Sequence, residues 1–172
     1  FLGFSLVIRF NLIFFAIPFF LWITLYRFNF LFIFISGLVI LLSLYLGILI
    51  DSINYGSVEN TYWNFYDANI NVGWLNSFGI KPWWYFISST IIELAPILSL
   101  FFVISIIFFW IKNYNSLFTW ITLVSFIIIS SFQHKEIRYI FPIYFFAPFF
   151  ISFFFENKKN ILLEKILKSL VI

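Results

Sequence analysis

Cysteine and methionine are absent from the 172 residues, and histidine occurs once. Without cysteine there is no disulfide, no thiolate metal site and no thiol nucleophile. Charge is almost as scarce: Asp, Glu, Lys and Arg make up 10% of the chain, against roughly a quarter in soluble domains. A Gly-rich phosphate loop, a dinucleotide fingerprint and a Ser-His-Asp pattern are also missing, so a soluble nucleotide-sugar donor finds no support. The opening FLGFSLVIRF has neither a basic n-region nor a small-residue cleavage site and is not a signal peptide. Starting at Phe1 and lacking Met, the chain is expected to be the C-terminal part of a larger polytopic membrane protein.

What is abundant is apolar surface. Hydrophobic residues reach 63%, aromatics 26% with 29 Phe, and mean hydropathy is +1.06. No soluble surface can be built from this inventory. A spanning helix needs about 20 mostly apolar residues, and charges mark where spans stop. Five spans are predicted, at 10–25, 28–50, 83–111, 117–132 and 139–155, giving an all-α polytopic membrane protein of helical bundle type. The third holds Glu93 and Pro96 and is expected to tilt or kink, with Glu93 protonated or bonded to a neighbouring helix. Residues 1–172 read as a single, partial membrane domain, with a polar loop at 51–82 and a basic tail at 156–172.

Charge sets the orientation. Arg27, Lys112, Lys158, Lys159, Lys165 and Lys168 fall on one side of this arrangement, and Arg9, Lys81, Lys135 and Arg138 on the other. Lysine and arginine are enriched in cytoplasmic loops, so the first side is taken as cytoplasmic. The net charge of +3 therefore reads as membrane orientation, not nucleic-acid affinity. The 51–82 loop and the 134–138 cluster are then expected to share the non-cytoplasmic face.

Two segments stand out chemically. In SSFQHKEIRYIFP, residues 130–142, four ionisable groups crowd between two apolar spans. Cations at the edge of hydrocarbon are costly unless something anionic meets them. Glu136 neutralises one; Lys135, Arg138 and protonated His134 remain as donors suited to a lipid phosphate. The alternative is a short charged turn whose side chains snorkel to the interface. Adjacent His, Lys and Glu make poor metal-ligand spacing, so no metal is expected. The 32-residue interlude at 51–82 is long for an idle connection. Val58, Tyr62, Phe65 and Tyr66 share a helical face that suits the interface, and Trp63, Trp74, Trp83 and Trp84 suit the headgroup belt. Asp51 lies where a span meets water. Arg9 either snorkels or adds a cation to the same site.

His134-Lys135-Glu136-Ile137-Arg138-Tyr139 resembles the HKExRF signature of glycosyltransferase family 22, the Alg9-like mannosyltransferases. Asp51, Tyr55, Gly56, Thr61, Asn64, Phe65 and Asn69 resemble a second segment of that family, and Phe78, Gly79, Pro82, Trp83 and Tyr85 a third. Arg9-Phe10 with Trp22 is similar to an upstream Arg-containing helix. Tyr139 replaces the usual Phe, and Trp84 the usual His.

The resemblance implies a GT-C enzyme of the endoplasmic reticulum or bacterial inner membrane, working on the lumenal or periplasmic face without a cofactor. Mannose would pass from a polyprenyl (dolichyl) phosphate to a lipid-linked glycan or glycolipid. His134, Lys135, Arg138 and Arg9 would bind the donor phosphate, and Glu136, Asp51 and Tyr55 would orient the site. The general base would come from upstream of residue 1, leaving these residues inactive by themselves. A lipid-linked transporter or flippase and a non-catalytic membrane subunit are the competing readings.

Overall fold

The computed structural model describes residues 12–58, 60–72, 79–93 and 95–170, with backbone only at 69, 70 and 159–170. Every regular element among them is helical: α1 (Ile13–Tyr26), α2 (Phe30–Tyr55), α3 (Thr61–Tyr66), α4 (Tyr85–Glu93), α5 (Pro96–Lys112), α6 (Leu117–Ser131), α7 (Ile137–Tyr144) and α8 (Ala147–Leu170). A lipid-facing chain leaves its backbone amides no partner but the next helical turn, and these sequences supply nothing else.

The helices begin and end where local chemistry dictates. Asn29 caps α2 by accepting from the Phe32 amide at 3.0 Å. The helix was expected to stop before Asp51, but it runs through it to Tyr55. There Gly56 (φ 71°) provides the left-handed turn that closes it. At 26 residues and mean hydropathy 2.7, α2 is the one described helix long and apolar enough to cross a membrane unaided. The pair α7 and α8, bent by 52°, forms a second candidate, whereas α1, α5 and α6 are apolar but shorter.

The expected third span is broken, because Pro96 holds Ala95 extended (φ −122°, ψ 94°) between α4 and α5. That break corrects the expectation for Glu93. It lies exposed at the end of α4 and not within a continuous span.

Phenylalanine builds the core. Phe86, Phe102, Phe109 and Phe150 are buried with Ile106, Ile129, Ile140 and Ile143. Phe109 meets Phe149, Phe150 and Phe153 edge-on at 4.9–5.3 Å, which packs α8 along α5. Single polar pairs then pin neighbours across an apolar environment. Trp110 Nε1 donates to Thr122 Oγ1 (2.9 Å) between α5 and α6, and Ser125 Oγ donates to the Phe14 carbonyl (2.7 Å) between α6 and α1. Thr90 and Tyr144 join α4 to α7 through their hydroxyls at 2.6 Å.

These contacts gather three cations at one end. Tyr26, beside Arg27, donates to Asn115 (2.9 Å), and Lys112 donates to Asn157, beside Lys158. From there α6 runs to the opposite end, roughly 22 Å away for 15 residues at 1.5 Å each.

Candidate functional site

Beyond the last turn of α6 the chain goes extended at Phe132 (ψ 145°) and reaches α7 within a few residues. This short turn carries the charged cluster. Alongside it lies the end of the 51–82 interlude, where the Lys81 amide donates to the Gln133 carbonyl at 3.0 Å. The last residues of the interlude therefore lie against the charged turn.

The side chains extend that contact. His134 is 7% exposed, with Nδ1 at 3.2 Å from the Gly79 carbonyl and Nε2 at 3.1 Å from Glu136 Oε1. Both ring nitrogens face acceptors, one on the neighbouring segment and one on the turn itself. Lys135 is 2% exposed, and its ammonium donates to the Lys81 carbonyl at 3.0 Å and to the Phe132 carbonyl. Burial pushes its pKa below the ordinary lysine value. Glu136 Oε2 pairs with Arg138 Nε, and the Arg138 side chain is 63% exposed. A continuous line of contacts thus runs from the Gly79 carbonyl through His134 and Glu136 to a guanidinium open to the outside.

Burial works to raise the Glu136 pKa, but hydrogen bonds and charge from His134 and Arg138 outweigh it, and the net effect is a lowering. Above the ordinary carboxylate value the ion pair's contribution is complete, and it is lost as pH falls through the lower folded-state value. The stability gap between wild type and Glu136→Gln in detergent is therefore expected to narrow below about pH 4.3. A gap that stays constant through that range would show that His134 and Arg138 do not stabilise the carboxylate.

A second group forms where α2 meets α3. Asp51 Oδ2 accepts from Thr61 Oγ1 at 2.6 Å, one helical turn before α2 ends. Burial, then the Asp51 charge, push the Tyr62 phenol above its ordinary value and keep it a donor. Tyr55 is 70% exposed. Asn60 caps α3 through the Trp63 amide (3.1 Å), so part of the interlude is helical, although Val58 lies outside that helix. Trp83 and Trp84 are both exposed, their rings perpendicular at 5.7 Å. Arg9, Phe10, Phe78 and the Asn69 side chain lie outside the described residues.

The family model for Alg9-like mannosyltransferases matches residues 1–172, the whole chain. The chain belongs to the Alg9-like mannosyltransferase family. Neither a curated protein nor a solved structure matches it. Membership of this membrane-associated glycosyltransferase family fits the apolar α2. The family is one of glycosyltransferases. Among the described residues no group of three or more metal-ligating side chains converges.

The residues that sequence reasoning missed are mostly backbone acceptors: the carbonyls of Gly79, Lys81 and Phe132. Thr61 was also missed as the partner of Asp51. Its place in the family segment, ten residues after Asp51, was the available signal.

Proposed function

We propose that this protein transfers mannose from a polyprenyl phosphate to a lipid-linked glycan or glycolipid, at the non-cytoplasmic rim of a five-span bundle. The membrane is that of the endoplasmic reticulum in a eukaryote or the inner membrane in a bacterium. The observation that carries the reading is Arg138. It is a mostly exposed guanidinium held by Glu136, at the end of the molecule opposite Arg27, Lys112 and Lys158.

Transfer breaks the bond between the mannose anomeric carbon and the phosphate oxygen, and forms one to an acceptor hydroxyl. The departing phosphate gains negative charge. A donor fixed before the reaction stabilises that charge without reorganising, which lowers the barrier. Arg138 takes the phosphate in this reading, Lys135 adds positive charge from beneath it, and His134 serves as a hydrogen-bonding partner of the site. Arg9 is a further phosphate donor, while Asp51 and Tyr55 shape the entrance. The hydroxyl proton goes to a general base supplied from upstream of residue 1. An apolar cavity between α4, α5, α7 and α8, lined by Leu98, Phe102, Tyr144 and Ile151, suits an isoprenoid tail. Family membership favours transfer over the flippase and non-catalytic subunit readings.

Membranes carrying the full-length protein should incorporate radiolabelled mannose into lipid-linked product from polyprenyl-phosphate mannose, and not from a nucleoside-diphosphate mannose once the lipid carrier is depleted. Transfer from the nucleotide sugar under those conditions would overturn the donor assignment.

A further inference from the structure

The charged turn does two jobs with different residues. Arg138 points outward, but His134 and Lys135 are buried and turned toward backbone carbonyls of the neighbouring segment. Lys135 places its ammonium between carbonyls from two stretches of chain distant in sequence, at Lys81 before α4, 54 residues from Lys135, and at Phe132 after α6. An ammonium has three donors, and two are used this way. His134 ties the same segment two residues earlier, at Gly79, and the Lys81 amide completes the seam at Gln133. Gly79 itself sits at φ 97°, a conformation that only glycine adopts without strain.

We propose that His134 and Lys135 are positioning residues: they clamp the 79–81 segment onto the 132–135 turn and so hold Glu136, and through it Arg138, in place. The geometry separates this role from phosphate contact. A ligand-binding lysine would be expected at the surface with its donors uncommitted, and Lys135 is 2% exposed with its donors on carbonyls. The consequence is that the interlude and the phosphate-facing arginine form one unit. Trp83 and Trp84, which follow the clamped segment directly, are fixed relative to Arg138 by the same seam. This inference deepens the transferase reading and rests on it for the role of Arg138, but the clamp itself is testable without activity.

The test uses the full-length protein in membranes with Ile80→Cys and Gln133→Cys, two exposed positions flanking the seam, and a short thiol–thiol crosslinker. Efficient crosslinking is expected in this parent. Adding Lys135→Met should reduce the yield about tenfold, the factor expected from losing a charge-assisted hydrogen bond. Gly79→Ala, which removes no charge and strains the same segment from the other side, should act in the same direction and guards against a fold-specific failure of Lys135→Met.

Mannose transfer by the Lys135→Met parent should fall and then recover once the crosslink is formed, because the covalent tie replaces the clamp. A phosphate-binding lysine predicts no recovery. Unchanged crosslinking in the Lys135→Met variant would overturn the clamp whether or not transfer is observed. Should the parent show no transfer from polyprenyl-phosphate mannose at all, the donor reading fails and the crosslinking yields still decide the clamp.

Discussion

Replacing Arg138 with alanine is expected to lower mannose transfer about 10²–10³-fold, the cost of losing one preorganised donor to a developing anion. The expectation rests on three features that occur together at this residue. Its side chain is 63% exposed, its Nε is anchored on Glu136, and it lies beyond the buried His134 and Lys135. Anchoring at Nε leaves the far edge of the guanidinium, the edge suited to bidentate phosphate contact, directed away from the anchor.

Arg138→Lys should restore only part of the rate, since a point charge on a flexible stem keeps the attraction and loses the fork. Folding should barely change, because partly exposed ion pairs contribute about 0–1 kcal/mol. The assay therefore compares initial rates at equal membrane abundance. Wild-type transfer by Arg138→Ala would remove Arg138 from the phosphate site. A parallel loss of abundance and rate would instead point to a structural role.

The pattern of charge and hydropathy made the helices legible. Each predicted span holds helix, but among the described residues only α2 and the bent pair of α7 and α8 are long and apolar enough to cross a membrane. The boundaries were less legible where a single residue decides. Asp51 reads as a stop in the sequence, yet one charged group near a helix end bonds Thr61 across the junction and the helix continues to Gly56. The break at Ala95 followed from Pro96, but its effect on Glu93 did not, since exposure at a helix end depends on where the break falls.

At the site, residue types were readable and roles were not. The crowding of His134, Lys135, Glu136 and Arg138 is visible as a string, and so is its family signature. Which cation faces outward depends on carbonyls at Gly79, Lys81 and Phe132, and a carbonyl leaves no trace in side-chain identity. The distant partner segment could be placed only on the same side of the membrane, not in contact.

Leu42→Arg is expected to shift the fraction of α2 that crosses the membrane by about 100-fold, from a cost of about 2.5–3.5 kcal/mol for arginine at the centre of a spanning helix. Leu42 lies near the middle of Phe30–Tyr55 and is 60% exposed, so in a membrane-crossing α2 its side chain would meet lipid and not protein. Ile53→Arg, at an 80% exposed position close to Asp51 and the helix end, should cost little because its long side chain reaches the interface. The contrast is diagnostic: a helix lying flat on the membrane would treat these two sites alike.

Single cysteines give the readout. A cysteine at Phe28 or Asn115 should label from one face and at Val58, which is 93% exposed, from the other, and Leu42→Arg should abolish that asymmetry. The result bears on chemistry as well as topology. If α2 crosses, Asp51 and the interlude leave the membrane on the face opposite Arg27, and the interlude's last residues already touch the Arg138 turn. Labelling of Val58 and Asn115 from the same face would separate that turn from the loop meant to serve it, and no arrangement of cations at residues 134–138 would then restore a shared site.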